Sequence, residues 1–220
     1  MRATVVLPIK RFARAKSRLV ETIGPPARAA VLRAMLADVL VALDRAREVE
    51  RVILVTGEGR AEKVALEHAK RSSTPLEVLR DPTDHGHSEA ATLGIVRAKS
   101  LGAECAALLP GDCPLLDPGE LDAAMSSFAP GMVGVATDRH DSGTNGLFLS
   151  PADAIGPAFG PDSRERHLDR ASRAGYRAEL LDMPSLALDL DTPADLEALT
   201  ALLVEDPSRA PLTATALSEL

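Results

Sequence analysis

Four short apolar runs dominate the first half of the chain: ATVVLPI (3–9), RVILVTG (51–57), PLEVLRD (75–81) and CAALLPGD (105–112). Each has strand length, and β-branched residues are frequent in the first two. The stretches between them carry helical periodicity. In 26–47, Val31, Leu32, Met35, Leu36, Val39, Leu40 and Leu43 recur at three- and four-residue steps after a Gly24-Pro25-Pro26 start signal. A charged helix is expected over 60–70, and another capped by Ser88 running to Ser100. Strict alternation of this kind implies a parallel sheet with helices on both faces, because parallel neighbours need a crossover.

The order then changes. After a helix over 117–128, opened by Asp117-Pro118, the runs MVGVATD (132–138), GLFLS (146–150) and YRAELLD (176–182) read as strands, with one helix, 163–174, among them. Antiparallel additions to the sheet are expected there. A last helix runs from Thr192 to Val204, and the Pro-, Ser- and Thr-containing tail is expected to be loose. No repeat, low-complexity tract or linker divides the 220 residues, so one α/β domain over 1–204 and a tail over 205–220 are expected.

Composition narrows the function. Hydrophobic content is 45% with 2% aromatics and no Trp, so the core must be built from Leu, Val, Ile and Ala. A net charge of −7 argues against a general nucleic-acid or anionic-membrane binder. No apolar run approaches the roughly 18 residues of a membrane helix, and MRATVVLPIK reads as a first strand, not a signal peptide. Cys105 and Cys113 make no disulfide framework, so a reducing cytoplasm is the default.

Chemistry-bearing residues collect where strands end. In ALLPGDCPLL (107–116) an apolar run stops at Asp112, and Pro114 bars its continuation. Ligands of open parallel sheets sit outside the carboxyl ends of strands, which places Asp112 at the ligand edge. Alone, Gly-Asp before Cys-Pro reads more readily as a turn than as a metal ligand. In LALDLDTPADLEAL (186–199), Asp189 and Asp191 are two apart and share a face in an extended segment, with Leu188 and Leu190 opposite. Two like charges on one face call for a cation or for water, and Mg²⁺ takes one or two carboxylates plus substrate phosphates. Thr192-Pro193-Ala194-Asp195 also fits a capping box, which accounts for Asp191 or Thr192 but not for Asp189.

LPIKRFARAKSRL (7–19) carries Lys10, Arg11, Arg14, Lys16 and Arg18, and no acid occurs in the first 20 residues. It follows the first strand and lacks the P-loop glycines. Its position favours polyphosphate binding over a solvated basic face, with Lys10 and Lys16 as point charges and Arg18 forking onto phosphate oxygens. DHGHSEAATLG (84–94) places His85 and His87 around Gly86 before a helix, which suits a base or ribose pocket or an ordinary surface loop better than a metal. Gly143-Thr144-Asn145-Gly146 is a tight turn, and Gly160-Pro161-Asp162-Ser163 leads into a helix whose N-terminus suits an anion. Together these two could form a second anion site facing the first.

In this order, PIKRFARAKSRL, LPGDCPLL, GTNGLFLSP, FGPDSRERHL and LDTPADL resemble the guanylyltransferases of deazaflavin coenzyme (F420) biosynthesis, over about Val5 to Leu199. The resemblance implies a Rossmann-like mixed sheet in three layers, of the nucleotidyltransferase (glycosyltransferase-A-type) fold. It implies transfer of GMP from GTP to phosphoenolpyruvate or 2-phospho-L-lactate, with pyrophosphate released. It implies Mg²⁺ on Asp112, Asp189 and Asp191, and a phosphorylated three-carbon acid on Thr144, Gly160 and Ser163. Lys10, Lys16 and Arg18 match the family's basic nucleotide loop and its catalytic cations. Gly86, His87 and Ser88 match its approach to base and ribose. Asp162 stands where relatives often have glycine, and Asp tolerates left-handed backbone better than most residues. GTP and the acid are the partners implied, with neither nucleic acid nor membrane, and a homodimer is allowed for. Three other readings stay open: a nucleotidyltransferase with another acceptor, a D-x-D glycosyltransferase, and a GTP-binding sensor without activity. The glycosyltransferase is disfavoured because its D-x-D usually lies mid-domain.

Overall fold

The computed structural model describes residues 2–12, 19, 22–81, 83 and 86–220. Its strands are β1 (Ala3–Ile9), β2 (Val49–Thr56), β3 (Leu76–Arg80), β4 (Ala106–Leu108), β5 (Met132–Ala136), β6 (Gly146–Ser150) and β7 (Arg177–Leu181). The α-helices are α1 (Pro25–Arg45), α2 (Gly59–Ala69), α3 (His87–Ser100), α4 (Pro118–Ser127), α5 (Ser163–Arg173), α6 (Pro193–Glu205) and α7 (Pro211–Ser218). The strands form one sheet in the order β3-β2-β1-β4-β6-β5-β7. β1 pairs in parallel with β2 and β4, and β2 with β3. β6 pairs antiparallel with both β4 and β5, while β7 is parallel to β5. The expected antiparallel addition is thus one reversed strand, β6.

Period-2 alternation divides the core between the two faces of the sheet. Val5, Leu7, Val52 and Leu54 pack with α1, α2, α4, α6 and α7, whereas Val6, Ile53 and Val55 pack with α3 and α5. Three layers result, filled by aliphatic side chains as the composition requires. On the thinner face α3 packs tightly on the side chains of β1 and β2: a Cβ on Gly94 would stand 2.2 Å from Val6 Cγ1.

Three expectations need correction. The strand expected over 105–112 is regular only over Ala106–Leu108. Leu109 N–H still donates to Val6 O at 3.0 Å, but Pro110 has no N–H to continue the ladder. Helix α3 begins at His87 with Gly86 as its N-cap, so Ser88 is not the cap. Its hydroxyl instead accepts from Phe159 N–H at 3.0 Å, a contact between segments distant in sequence.

The third correction concerns the tail from Glu205. A 3₁₀ turn at Pro207–Arg209 leads into α7, which packs on α1 through buried Ala210 and Leu217. Asp38, buried on α1, accepts from Thr213 N–H at 2.8 Å, Thr213 Oγ1 at 2.7 Å and Leu212 N–H at 3.3 Å. A carboxylate therefore meets the N-terminus of α7, where free N–H groups favour negative charge. Burial pushes the Asp38 carboxyl up from its ordinary value, and these hydrogen bonds oppose that rise. Asp38→Ala strands the buried Thr213 donors. It is expected to lower stability by about 1–3 kcal/mol, read as a fall of several degrees in Tm by circular dichroism.

Candidate active site

Each parallel strand delivers its following loop to the carboxyl edge of the sheet. Because β6 runs the other way, the loop that precedes it opens on that same edge. β1 and β4 are neighbours although three crossovers, through α1, α2 and α3, separate them in sequence, so the winding reverses between them. Such a switch point leaves a crevice, and here it opens into a cavity of about 770 Å³.

Lys10, His87, Ser88, Asp112, Thr144, Gly160, Ser163, Asp189 and Asp191 all line this one cavity, as the motifs suggested. Gly86 is not in its wall but caps the helix that carries His87 and Ser88. Lys16 and Arg18, with His85, lie outside the described residues.

Asp112 lies four residues beyond β4, behind Gly111, whose α-carbon packs on Ile9: a Cβ there would be 2.3 Å from Ile9 Cδ1. Asp189 and Asp191 alternate with buried Leu188 and Leu190 as expected, although the segment pairs with no strand of the sheet. Asn145 holds it by donating from Nδ2 to Leu186 O at 2.8 Å and to Asp189 Oδ1 at 3.3 Å. The capping box at Thr192 is present. Its Asp195 carboxylate also accepts from Asp191 N–H at 3.0 Å and pairs with Arg139 at 2.6 Å. Asn145 and Asp195 thus set the two aspartates in place. Asn145 lay in view within the quoted turn, but nothing local ties it to a segment 44 residues later.

The Gly160-Pro161-Asp162 turn, also in the cavity lining, leads into α5. Asp162 adopts the left-handed conformation, φ 53° and ψ 30°, which Asp tolerates and glycine would take without cost. Ser163, His167 and Ala171 are the buried stripe of α5, at helical spacing. His167, unremarked in the sequence, is fully buried, 3.0 Å from Thr144 Oγ1 through Nδ1 and accepting from Ala158 N–H at 2.8 Å through Nε2. The Phe159 ring stands edge-on between His87 and His167, at 4.7 and 5.3 Å between centroids. Together with the Ser88–Phe159 hydrogen bond, this joins the α3 end of the cavity to the α5 end.

Among the described lining residues, seven carboxylates face one lysine, Lys10. Among the described residues, no three His, Cys, Asp or Glu side chains are gathered into a ready-made metal cage. The donor set is nevertheless oxygen-only and anionic, which suits a hard cation completed by substrate oxygens.

Burial, then Arg170 and Arg166, hold His167 down from 6.5 to about 4. The unfolded chain takes up the proton first, so this histidine contributes stability above pH 6.5 that is lost as pH falls towards 4. The contribution is on the order of 3 kcal/mol. Denaturant melts are expected to show wild-type stability declining over that window more steeply than that of His167→Asn.

The chain resembles known proteins along its length. The family model "Guanylyl transferase CofC like" matches residues 3–205. The phosphoenolpyruvate guanylyltransferase of Conexibacter woesei is 40% identical over 222 residues, covering 100% of this chain and 97% of that one. The 3-phospho-D-glycerate guanylyltransferase of Phenylobacterium zucineum is 34% identical over 196 residues, covering 88% and 87%. A crystal structure of 4-diphosphocytidyl-2C-methyl-D-erythritol synthase superposes with a TM-score of 0.61 at 16% identity, over 92% of this chain and 100% of that one, a likeness of fold. A family match over nearly the whole chain, on a nucleotidyltransferase fold with the family's motif residues gathered at one cavity, places this chain in the guanylyl transferase CofC-like family.

Proposed function

We propose that this chain transfers GMP from GTP to a phosphorylated three-carbon acid, phosphoenolpyruvate foremost, and releases pyrophosphate. One observation carries the assignment: Asp112, Asp189 and Asp191 line the same cavity at the switch point as Thr144, Gly160 and Ser163. Two polyanions could be held there side by side.

A phosphate oxygen of the acid attacks the α-phosphorus of GTP as the bond to the β-phosphate oxygen breaks. A monoester is largely ionised at neutral pH, with a second pKa of about 6, so no strong general base is needed. The main barrier is repulsion between anions brought into a cavity that is itself acidic. Lys10, at the end of β1, offsets charge on the nucleotide phosphates, and Lys16 and Arg18 of the same basic segment are assigned the same role. Asp112, Asp189 and Asp191 would hold Mg²⁺. Bound there, the ion would neutralise phosphate charge and polarise the reacting phosphoryl group. Thr144 and Ser163 orient the acid through their hydroxyl groups, and Gly160 lets the backbone come close. His87 and Ser88 border the nucleotide. No described helix is long and apolar enough to cross a membrane. Cys105 and Cys113 are buried thiols, in keeping with a reducing cytoplasm.

The deciding experiment is pyrophosphate release with GTP and Mg²⁺, one candidate acid per reaction, against a no-acid control. Release that depends on phosphoenolpyruvate is expected. Dependence on 2-phospholactate or 3-phosphoglycerate would change the acid and keep the reaction. Release of a nucleoside diphosphate would point to the glycosyltransferase, and GTP binding without turnover to a sensor. Asp112→Asn is expected to cost about a hundredfold or more in kcat with little change in Tm. A protein that unfolds on this substitution would make Asp112 a structural turn residue.

A further inference from the structure

The hydrogen bonds of His167 have a direction, and that direction reaches the cavity. His167 lies one turn beyond Ser163 on the buried stripe of α5. Its Nε2 is 2.8 Å from Ala158 N. A backbone N–H can only donate, so Nε2 offers its lone pair and carries no proton. A ring without a proton on Nε2 is neutral and carries its proton on Nδ1. Nδ1 is 3.0 Å from Thr144 Oγ1, so Nδ1–H donates and the Thr144 oxygen accepts. With that lone pair taken, the Thr144 hydroxyl hydrogen must be directed elsewhere. Among the described residues no hydrogen bond of the protein takes it, and Thr144 lines the cavity.

We propose that His167 is a positioning residue that makes the Thr144 hydroxyl a committed donor to an anionic oxygen of the acceptor substrate. The contact is set by the fold before substrate arrives. The imidazole is locked by Ala158 on one side and by the Phe159 ring edge on another. A threonine without this partner could rotate, spending part of its time as an acceptor that repels a carboxylate or phosphate. The burial that keeps the ring neutral acts in the same sense. The inference rests on the acid-binding role given to Thr144 above.

The test combines a spectroscopic readout with kinetics. In wild-type protein with labelled histidine, ¹H–¹⁵N correlation of the imidazoles is expected to show His167 protonated on Nδ1. A proton on Nε2 would overturn the proposal. His167→Gln can keep an acceptor for Ala158 but loses the donor to Thr144, while His167→Asn keeps a donor near the Nδ1 position. His167→Gln is expected to raise KM for the acid about tenfold. His167→Asn should stay within about threefold of wild type, and KM for GTP should hold in both. On a Thr144→Val background, which is itself raised in acid KM, His167→Gln should add nothing further. Equal effects of the two His167 variants, or additivity on Thr144→Val, would make His167 a packing residue only and overturn the proposal. If wild type releases no pyrophosphate with any acid, the functional assignment itself fails and takes the proposal with it. Activity in wild type with an unresponsive His167→Gln defeats the proposal alone.

Discussion

β1 is bonded to β2 on one side and to β4 on the other, both in parallel, and a parallel pair can be joined only by a crossover that returns the chain to the same end of the sheet. Every such return delivers a loop to the carboxyl edge. The chain therefore places the residues after β1, after β4 and after β5 in one plane, however far apart they are in sequence. β6 completes the arrangement by running backwards. Its reversal brings the turn with Thr144 and Asn145 to the same edge as Asp112.

The cavity so formed is electrostatically unusual for one proposed to hold anions. Carboxylates outnumber the described cations in its wall, and phosphates entering it would be repelled. A hard cation on the aspartates, as proposed, would resolve the conflict, and hydroxyl donors such as those of Thr144 and Ser163 would add attraction without a net charge. The two halves are mechanically joined, since Ser88 bonds the backbone of Phe159 and the Phe159 ring packs between His87 and His167. Neighbouring polar residues act mainly as fasteners. Asn145 and Asp195 anchor the aspartate segment, and His167 anchors Thr144.

Much of the fold was legible because strand and helix periods differ and because alternating apolar runs leave few alternatives to a parallel sheet. The elements that resisted reading were those whose ends depend on distant partners. Ser88 looks like a cap in sequence, yet its hydroxyl is engaged by Phe159 and Gly86 takes the cap position. The last 16 residues look loose from Pro, Ser and Thr, yet α7 docks because a buried aspartate on α1 receives its first N–H groups. No local rule connects Asp38 to Thr213.

By itself the sequence determined the alternation of elements, the aliphatic core, the carboxylates at strand ends and the capping box at Thr192. These follow from periodicity, composition and neighbours within a few positions. Only the tertiary structure decided that Asp112, Thr144, Ser163 and Asp189 share one cavity, that a single strand reverses, and that His167 hydrogen-bonds a threonine 23 residues before it. The reason is physical. Hydrogen-bond direction and burial at the site are properties of pairs brought together by the fold, and such pairs leave no periodic trace along the chain.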